Sequence, residues 1–215
     1  MKKGLWIVIT GLDGTGKTTL KKDLTWYFRG RELTTKDFKL PYDTHLLSLL
    51  DVIGGGLPYK DNYTDRMLFA LDNRLVGTAY VPMWQKNYDI LISQRGYFDS
   101  FVHGAVQGFS YESVEEINKT KDLAKCDVMI HLNADPEVAF NRIKDDPDAD
   151  KFETLEYIRK QSYETKRGYE ELLKGNKSLK SFETAENIFI DTTYLSTDET
   201  YEIALKELTN RGIID

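Results

Sequence analysis

Short runs of consecutive apolar residues alternate along this chain with longer stretches whose apolar positions recur every three or four residues. Leu5-Trp6-Ile7-Val8-Ile9 is unbroken by polar residues, the pattern of a strand buried on both faces, and Leu20, Leu24, Tyr27 and Phe28 then mark one face of a helix reaching Arg29. Residues 33 to 40 predict a second strand ended by Pro41, and Thr44 is placed to cap a helix through Val52 that Gly54-Gly55-Gly56-Leu57-Pro58 breaks. A long helical pattern over 63–86, interrupted near Gly77 and Pro82, leads to a third strand over 89–93. Helices are predicted over 97–107 and 114–123, a fourth strand over 128–132, and a helix from Pro136 to Lys144. The charged stretch 145–151 reads as a flap. A helix over 154–174, a fifth strand over 187–190 and a closing helix over 197–210 complete the pattern. Such alternation predicts a three-layer α/β/α fold with a parallel sheet, and in such sheets ligands bind beyond the carboxyl ends of the strands.

Composition narrows the partners. With 215 residues the chain fits one domain over 1–215, and its net charge of −6 argues against a wide surface for nucleic acid or anionic membrane. No apolar stretch approaches the length needed to span a bilayer. The opening MKKGLWIVITG has the lysines and apolar run of a signal peptide, but the run flows directly into a glycine-rich turn, so it reads as a core strand. The single Cys126 lies beside Val128-Met129-Ile130 and reads as a reduced, buried thiol, which suits a cytoplasmic setting.

That glycine-rich turn carries the chemistry. Gly11 to Thr18, within GLDGTGKTT, satisfies G-x-x-x-x-G-K-[ST] completely, between a predicted strand and a predicted helix. Backbone N–H groups converge on an anion where side chains do not intervene, a reason for glycine at positions 11, 14 and 16. Lys17 is expected to reach the β- and γ-phosphates of a nucleoside triphosphate and Thr18 to offer its hydroxyl to Mg²⁺, with the helix dipole adding to the attraction. The candidate ATP-binding set is therefore Gly11, Leu12, Asp13, Gly14, Thr15, Gly16, Lys17, Thr18 and Thr19.

Over nearly its whole length the sequence resembles the thymidylate kinases, within the P-loop nucleoside and nucleotide kinases. GLDGTGKTT is similar to their phosphate loop, LFALDNR at 68–74 to their base-binding helix, and RGYFDS at 95–100 to their DR-Y-x-x-S region. DPEVAFNRI at 135–143, DKFE at 150–153 and RGYEELL at 167–173 resemble the lid and the helix after it. The resemblance implies a five-stranded sheet in the order 2-3-1-4-5, an acceptor-binding region about 41–86, a lid about 143–153, and commonly a homodimer. It also implies transfer of the γ-phosphoryl group of ATP, with Mg²⁺, to dTMP, a dUMP-like nucleotide or a modified pyrimidine deoxynucleoside monophosphate. Phosphoryl transfer demands charge neutralisation and alignment more than covalent work. Arg95 is then the residue that holds donor and acceptor phosphates together, and Asp13 serves the deoxyribose or Mg²⁺ region. Arg142, Lys144 and Lys151 are the candidates to neutralise the transition state, because Leu12 to Thr15 include no arginine. Phe69 is expected to stack on the base and Arg74 to bond an exocyclic oxygen. Their spacing of five rather than four leaves Arg66 and Asn73 open for that role. Ser100, His103 and Gln107 share a helical face suited to the base edge.

The pattern is broken in three places. Gln94 stands where the family carries an aspartate, and Thr10 where it carries a glutamate. Tyr42 or Asp43 stands where the family has an arginine for the acceptor monophosphate. An acid near the end of the second strand is where deoxynucleoside kinases keep the base that deprotonates a 5′-hydroxyl, so a nucleoside kinase using Asp43 is a second reading. A P-loop protein that binds nucleotide without turnover is a third.

Overall fold

The computed structural model describes residues 3–42, 48, 61–145, 154–183 and 185–214. Five parallel strands form one sheet in the order β2-β3-β1-β4-β5. They are β1 (Leu5–Gly11), β2 (Thr35–Lys39), β3 (Ile90–Gln94), β4 (Val128–Asn133) and β5 (Glu186–Asp191). The central strand alternates between two cores. Ile7 and Ile9 pack with Leu20, Leu24 and Phe28 of α1 (Lys17–Gly30) and with Ala204 and Leu208 of α8 (Thr197–Asn210). Trp6 and Val8 point to the opposite face, among Phe98 and Phe101 of α4 (Tyr97–Val106) and Leu172 of α7 (Leu155–Leu173). Burial on both faces is why β1 reads as a continuous apolar run rather than an alternating one.

The long pattern over 63–86 is α2 (Asn62–Leu75), a π-helical segment (Val76–Tyr80) and α3 (Val81–Asn87), without a break in helical winding. At Gly77 an added Cβ would lie 2.5 Å from the Tyr97 hydroxyl and 2.8 Å from Leu123 Cβ, so the wider turn lies where the helix is pressed closely against its neighbours. Pro82, which has no N–H to donate, is the second residue of α3, directly after the wider π-helical turn. The helix expected over 114–123 differs in position. Ser110 caps α5 (Tyr111–Asn118) by accepting the Ser113 N–H, and Lys119 ends it in the left-handed region at φ 49°. A 3₁₀ turn over Thr120–Asp122 follows. The helix α6 (Pro136–Ile143) is capped by Asp135, whose carboxylate accepts from the N–H groups of Glu137 and Val138. The helix expected from Thr44, its glycine break and most of the flap lie outside the described residues. Among the described residues no helix is long and apolar enough to cross a membrane.

Candidate active site

The carboxyl ends of β1, β3 and β4 converge on the phosphate loop between Gly11 and Lys17. Its glycines have two separate reasons. A Cβ on Gly11 would lie 1.9 Å from the Leu132 carbonyl oxygen of β4, and one on Gly14 would lie 2.1 Å from the Ala139 carbonyl oxygen of α6. Those two positions are fixed by close backbone approach within the protein as well as by φ values of 135° and 80°. Gly16 has open space around it and is required by its φ of 88° alone. Leu12 turns inward as core, and the Thr15 hydroxyl donates to its carbonyl at 2.7 Å, stapling the loop.

Three charged side chains meet here. Lys17 Nζ donates to the carbonyls of Gly11 at 2.9 Å and Leu12 at 2.5 Å, and to Asp13 Oδ1 at 3.0 Å. Arg95 Nη2 donates to the same carboxylate oxygen at 2.9 Å. Burial alone would raise the Asp13 carboxyl pKa, but the Lys17 and Arg95 charges override it and hold it well below the usual carboxylate range. Burial lowers the Lys17 pKa, with Asp13 opposing. Arg95 follows β3 directly with a left-handed backbone, φ 68°, and its N–H donates to the Ile9 carbonyl at 2.8 Å. Gly96 comes next because a Cβ there would sit 2.7 Å from Val8 Cγ1. Asp99 then caps α4 by accepting the Gly96 N–H at 2.8 Å and also accepts from Thr10, so it faces inward as a backbone support. Burial raises its carboxyl pKa.

Thr18, the expected Mg²⁺ residue, is exposed, and its hydroxyl donates to Gln94 Oε1 at 3.1 Å. Among the described residues no group of three or more acidic, histidine or cysteine side chains is arranged to hold a metal. The Thr18 hydroxyl and the Gln94 amide oxygen are hard, uncharged oxygen donors, which would fit Mg²⁺ only together with further oxygen ligands, and there the ion would supply positive charge.

On the other side of Asp13 and Arg95 lie the facing surfaces of α2 and α4. Phe69 is half-buried, and the guanidinium of Arg66 lies 4.7 Å from its ring centroid. His103 Nδ1 is 2.7 Å from the Tyr157 hydroxyl of α7, and burial, with Arg95 and then Arg66 adding to it, pushes the imidazole pKa down to about 3. Asn73 is buried and directs its amide nitrogen to Ser100 Oγ at 2.8 Å and Asn118 Oδ1 at 2.7 Å, tying α2, α4 and α5 together. Arg74 is exposed, on the outer side of the helix. The extra residue between Phe69 and Arg74 thus turns the guanidinium outward, and Arg66 is the arginine on the Phe69 side. Gln107 ends α4 with its Oε1 buried and, among the described residues, without a hydrogen-bond partner. Tyr42 packs its ring against Phe38, Tyr80 and Trp84, and its N–H donates to Asp72 at 2.9 Å.

Arg142 donates to Thr192 O at 2.8 Å, Thr192 Oγ1 at 3.3 Å, and the carbonyls of Gly14 and Thr193 at 3.4 Å each. Its bonds go to the outer side of the loop, not to Asp13 and Arg95, because α6 packs against Gly14 and points the side chain at the turn after β5. There it borders a cavity of about 250 Å³ together with Thr15, Thr19, Leu20, Leu195 and Thr200. Lys144 is exposed just past α6, while Asp43 and Lys151 lie outside the described residues. Sequence spacing did not single out Tyr157 or Asn118, since each matters through a contact across helices.

A glycine loop between a central parallel strand and a helix, with a lysine and an arginine converging on one point, defines a P-loop phosphotransferase. The profile of the thymidylate kinase family matches residues 9–190. A probable thymidylate kinase of Staphylothermus marinus is 30% identical over 142 residues, covering 66% of this chain and 69% of that protein. The thymidylate kinase of Mycoplasmoides gallisepticum is 27% identical over 198 residues, 90% of this chain and 92% of its own. A probable thymidylate kinase of Methanocaldococcus jannaschii is 26% identical over 216 residues, 98% of each chain. The chain belongs to the thymidylate kinase family, and it is a nucleoside monophosphate kinase.

Proposed function

We propose that this enzyme transfers the γ-phosphoryl group of Mg·ATP to a pyrimidine deoxynucleoside monophosphate, dTMP or a close analogue, giving the diphosphate. The observation that carries this reading is the single carboxylate oxygen of Asp13 shared by Lys17 at 3.0 Å and Arg95 at 2.9 Å. Two cations from different parts of the chain, one opening α1 and one just past β3, focused on one anionic atom, are what a transferring phosphoryl group requires in place of that atom. Lys17 takes the triphosphate side and Arg95 bridges to the acceptor phosphate, both pre-aimed by the backbone at Gly11 and Ile9. Thr18 and Gln94 face the metal that arrives with ATP, which when bound draws charge from the β- and γ-oxygens. The adenosine occupies the cavity beside Arg142, whose guanidinium is held by Thr192 and Gly14. The acceptor base lies against Phe69, between α2 and α4.

The exposed residues Tyr63, Met67, Leu71 and Leu75 recur every fourth position along α2, an apolar stripe suited to pairing with a second copy of the chain. Incubation with Mg·ATP and, in parallel, dTMP, dUMP, the other deoxynucleoside monophosphates and the free nucleosides tests the reaction. ADP and a nucleoside diphosphate should form with dTMP. Turnover of nucleosides alone would replace this reading with the Asp43 nucleoside kinase, and nucleotide binding without turnover would leave a binding protein.

A further inference from the structure

The last three residues of β1 each hold one member of the charged group at the phosphate loop. The Ile9 carbonyl accepts the Arg95 N–H at 2.8 Å, and the Gly11 carbonyl accepts Lys17 Nζ at 2.9 Å. Between them, the Thr10 hydroxyl donates to the Asp99 carboxylate. Asp99 in turn closes the turn that follows Arg95. Its Oδ2 accepts the Gly96 N–H at 2.8 Å, and its own N–H donates to the Gly96 carbonyl at 3.1 Å. Arg95, immediately before that turn, has φ 68°, a conformation that side chains other than glycine rarely adopt and that persists only where its surroundings enforce it.

A carboxylate is an unfavourable choice for this position if it serves only as a cap. Asp99 is 6% exposed, and burial raises its carboxyl pKa. The helices α5, α6, α7 and α8 are capped instead by the exposed side chains of Ser110, Asp135, Thr154 and Ser196. In α4 the cap position is Gly96, where a Cβ would lie 2.7 Å from Val8 Cγ1, so the role passes inward to Asp99. There the carboxylate gains one donor from the turn after Arg95 and one from the strand that carries the phosphate loop. The charged and titratable groups that bear on it are Arg95, Lys17 and the buried hydroxyl of Tyr169 on α7.

Resting on the reaction proposed above, in which Arg95 bridges to the acceptor phosphate, we infer that Asp99 is a positioning residue for that reaction: with Thr10 it ties the left-handed turn at Arg95 to β1, and so fixes where the guanidinium points relative to Lys17. The Asp13 carboxylate, which holds the guanidinium at 2.9 Å, gives way to phosphate when substrates bind, and the backbone anchor is what remains. Asp99 faces inward and meets no substrate, so its effect on turnover passes through Arg95. That effect is large because phosphoryl transfer depends on alignment, and a misplacement of about 1 Å costs on the order of 100-fold.

The test is a double-variant cycle. Wild type, Asp99→Ser, Arg95→Ala and the two changes together are compared for kcat and for KM of dTMP and ATP in the presence of Mg²⁺, and for melting temperature. Asp99→Ser should lose about 30-fold in kcat with KM for ATP changed less than about threefold, whereas on the Arg95→Ala background the same change should cost less than about threefold. Thr10→Val, which keeps the shape and removes the donor, should lose about fivefold in kcat in the same Arg95-dependent way, and Thr10→Ser, which restores the hydroxyl, should recover it. An equal loss on both backgrounds, or a lowered melting temperature with kcat within about threefold of wild type, would make Asp99 a helix cap alone and overturn the assignment. If Asp99→Ser does not fold, Thr10→Val with and without Arg95→Ala decides by the same criterion. If wild type phosphorylates a free nucleoside but not dTMP, the reaction proposed above fails on its own, and the cycle is read on that nucleoside. If it turns over neither, the four proteins are titrated with ATP by calorimetry. Weakening by Asp99→Ser that vanishes without Arg95 then supports the positioning role, and weakening that persists, or none at all, refutes it.

Discussion

Asp13→Asn keeps the shape of the side chain and removes the charge on which Lys17 and Arg95 converge. Each of those hydrogen bonds joins an ionised pair, at 3.0 and 2.9 Å, and such bonds contribute about 1.5–3 kcal/mol. The Lys17 side chain is 3% exposed, but those of Asp13 and Arg95 are 15% and 22% exposed, so solvent screens part of the second. A net loss of about 2–3 kcal/mol follows, which at about 2–4 °C per kcal/mol for a chain this long lowers Tm by roughly 5–10 °C. Phosphate no longer competes with a carboxylate for the same two cations, so ADP should bind about tenfold more tightly, ~1.4 kcal/mol. Turnover should fall, because an uncharged amide oxygen holds the Arg95 guanidinium less firmly than the carboxylate does. The pH dependence has a definite sign. The folded carboxyl sits below the unfolded value of about 4, so its contribution is complete above that pH and is lost only as pH falls toward the lower, folded value. Wild type and variant should therefore differ by a constant Tm around neutral pH and converge in strong acid, and the difference should shrink again at alkaline pH where Lys17, its pKa lowered by burial, loses its charge. Scanning calorimetry and ADP titration measure both effects. An unchanged Tm together with unchanged or weaker ADP binding would refute the reasoning.

Other changes read other parts of the site. Gln94→Asp places a negative charge where the amide oxygen now lies 3.1 Å from the Thr18 hydroxyl, and the Mg²⁺ concentration for half-maximal activity should drop about three- to tenfold. No change would mean the metal is held elsewhere. Asn73→Leu strands the buried Asn118 Oδ1, costing about 2–3 kcal/mol and several degrees of Tm. A raised KM for dTMP at unchanged Tm would instead make Asn73 a substrate contact. Gly11→Ala would force a Cβ to 1.9 Å from the Leu132 carbonyl and should abolish nucleotide binding or folding, whereas Gly16→Ala meets open space and should cost only about 1 kcal/mol of stability. Burial pushes the Cys126 thiol up to about 12, so the native protein should react with a thiol reagent at pH 8 far more slowly than the denatured chain. Cys126 is partly rather than fully buried, and equal rates would count against a raised thiol pKa.

The strands and most helices were legible because a doubly covered parallel sheet writes itself as unbroken apolar runs, as at Leu5 to Ile9 and Val128 to Leu132. The phosphate loop was legible for a different reason: its residues act where they stand in the chain. What spacing missed depends on which way a helix is turned. The pattern suggested an interruption near Gly77, yet the helix continues by widening, a response set by Tyr97 and Leu123 from elsewhere in the sequence. Phe69 and Arg74 drew attention as a pair, but only three-dimensional placement puts Arg66 beside the ring and Arg74 outside. The reach of Arg142 to Thr192, 50 positions away, has no local signature.

The braces on Gly14 have a mechanical corollary. One side of that glycine abuts the Ala139 carbonyl, and its own carbonyl accepts from the Arg142 side chain, so the nucleotide cradle and α6 are coupled both by close main-chain contact and by a guanidinium. Filling the cradle should therefore slow amide exchange along α6. Occupancy of the donor site would in this way be felt at the far end of α6, at Ile143, before any acceptor arrives.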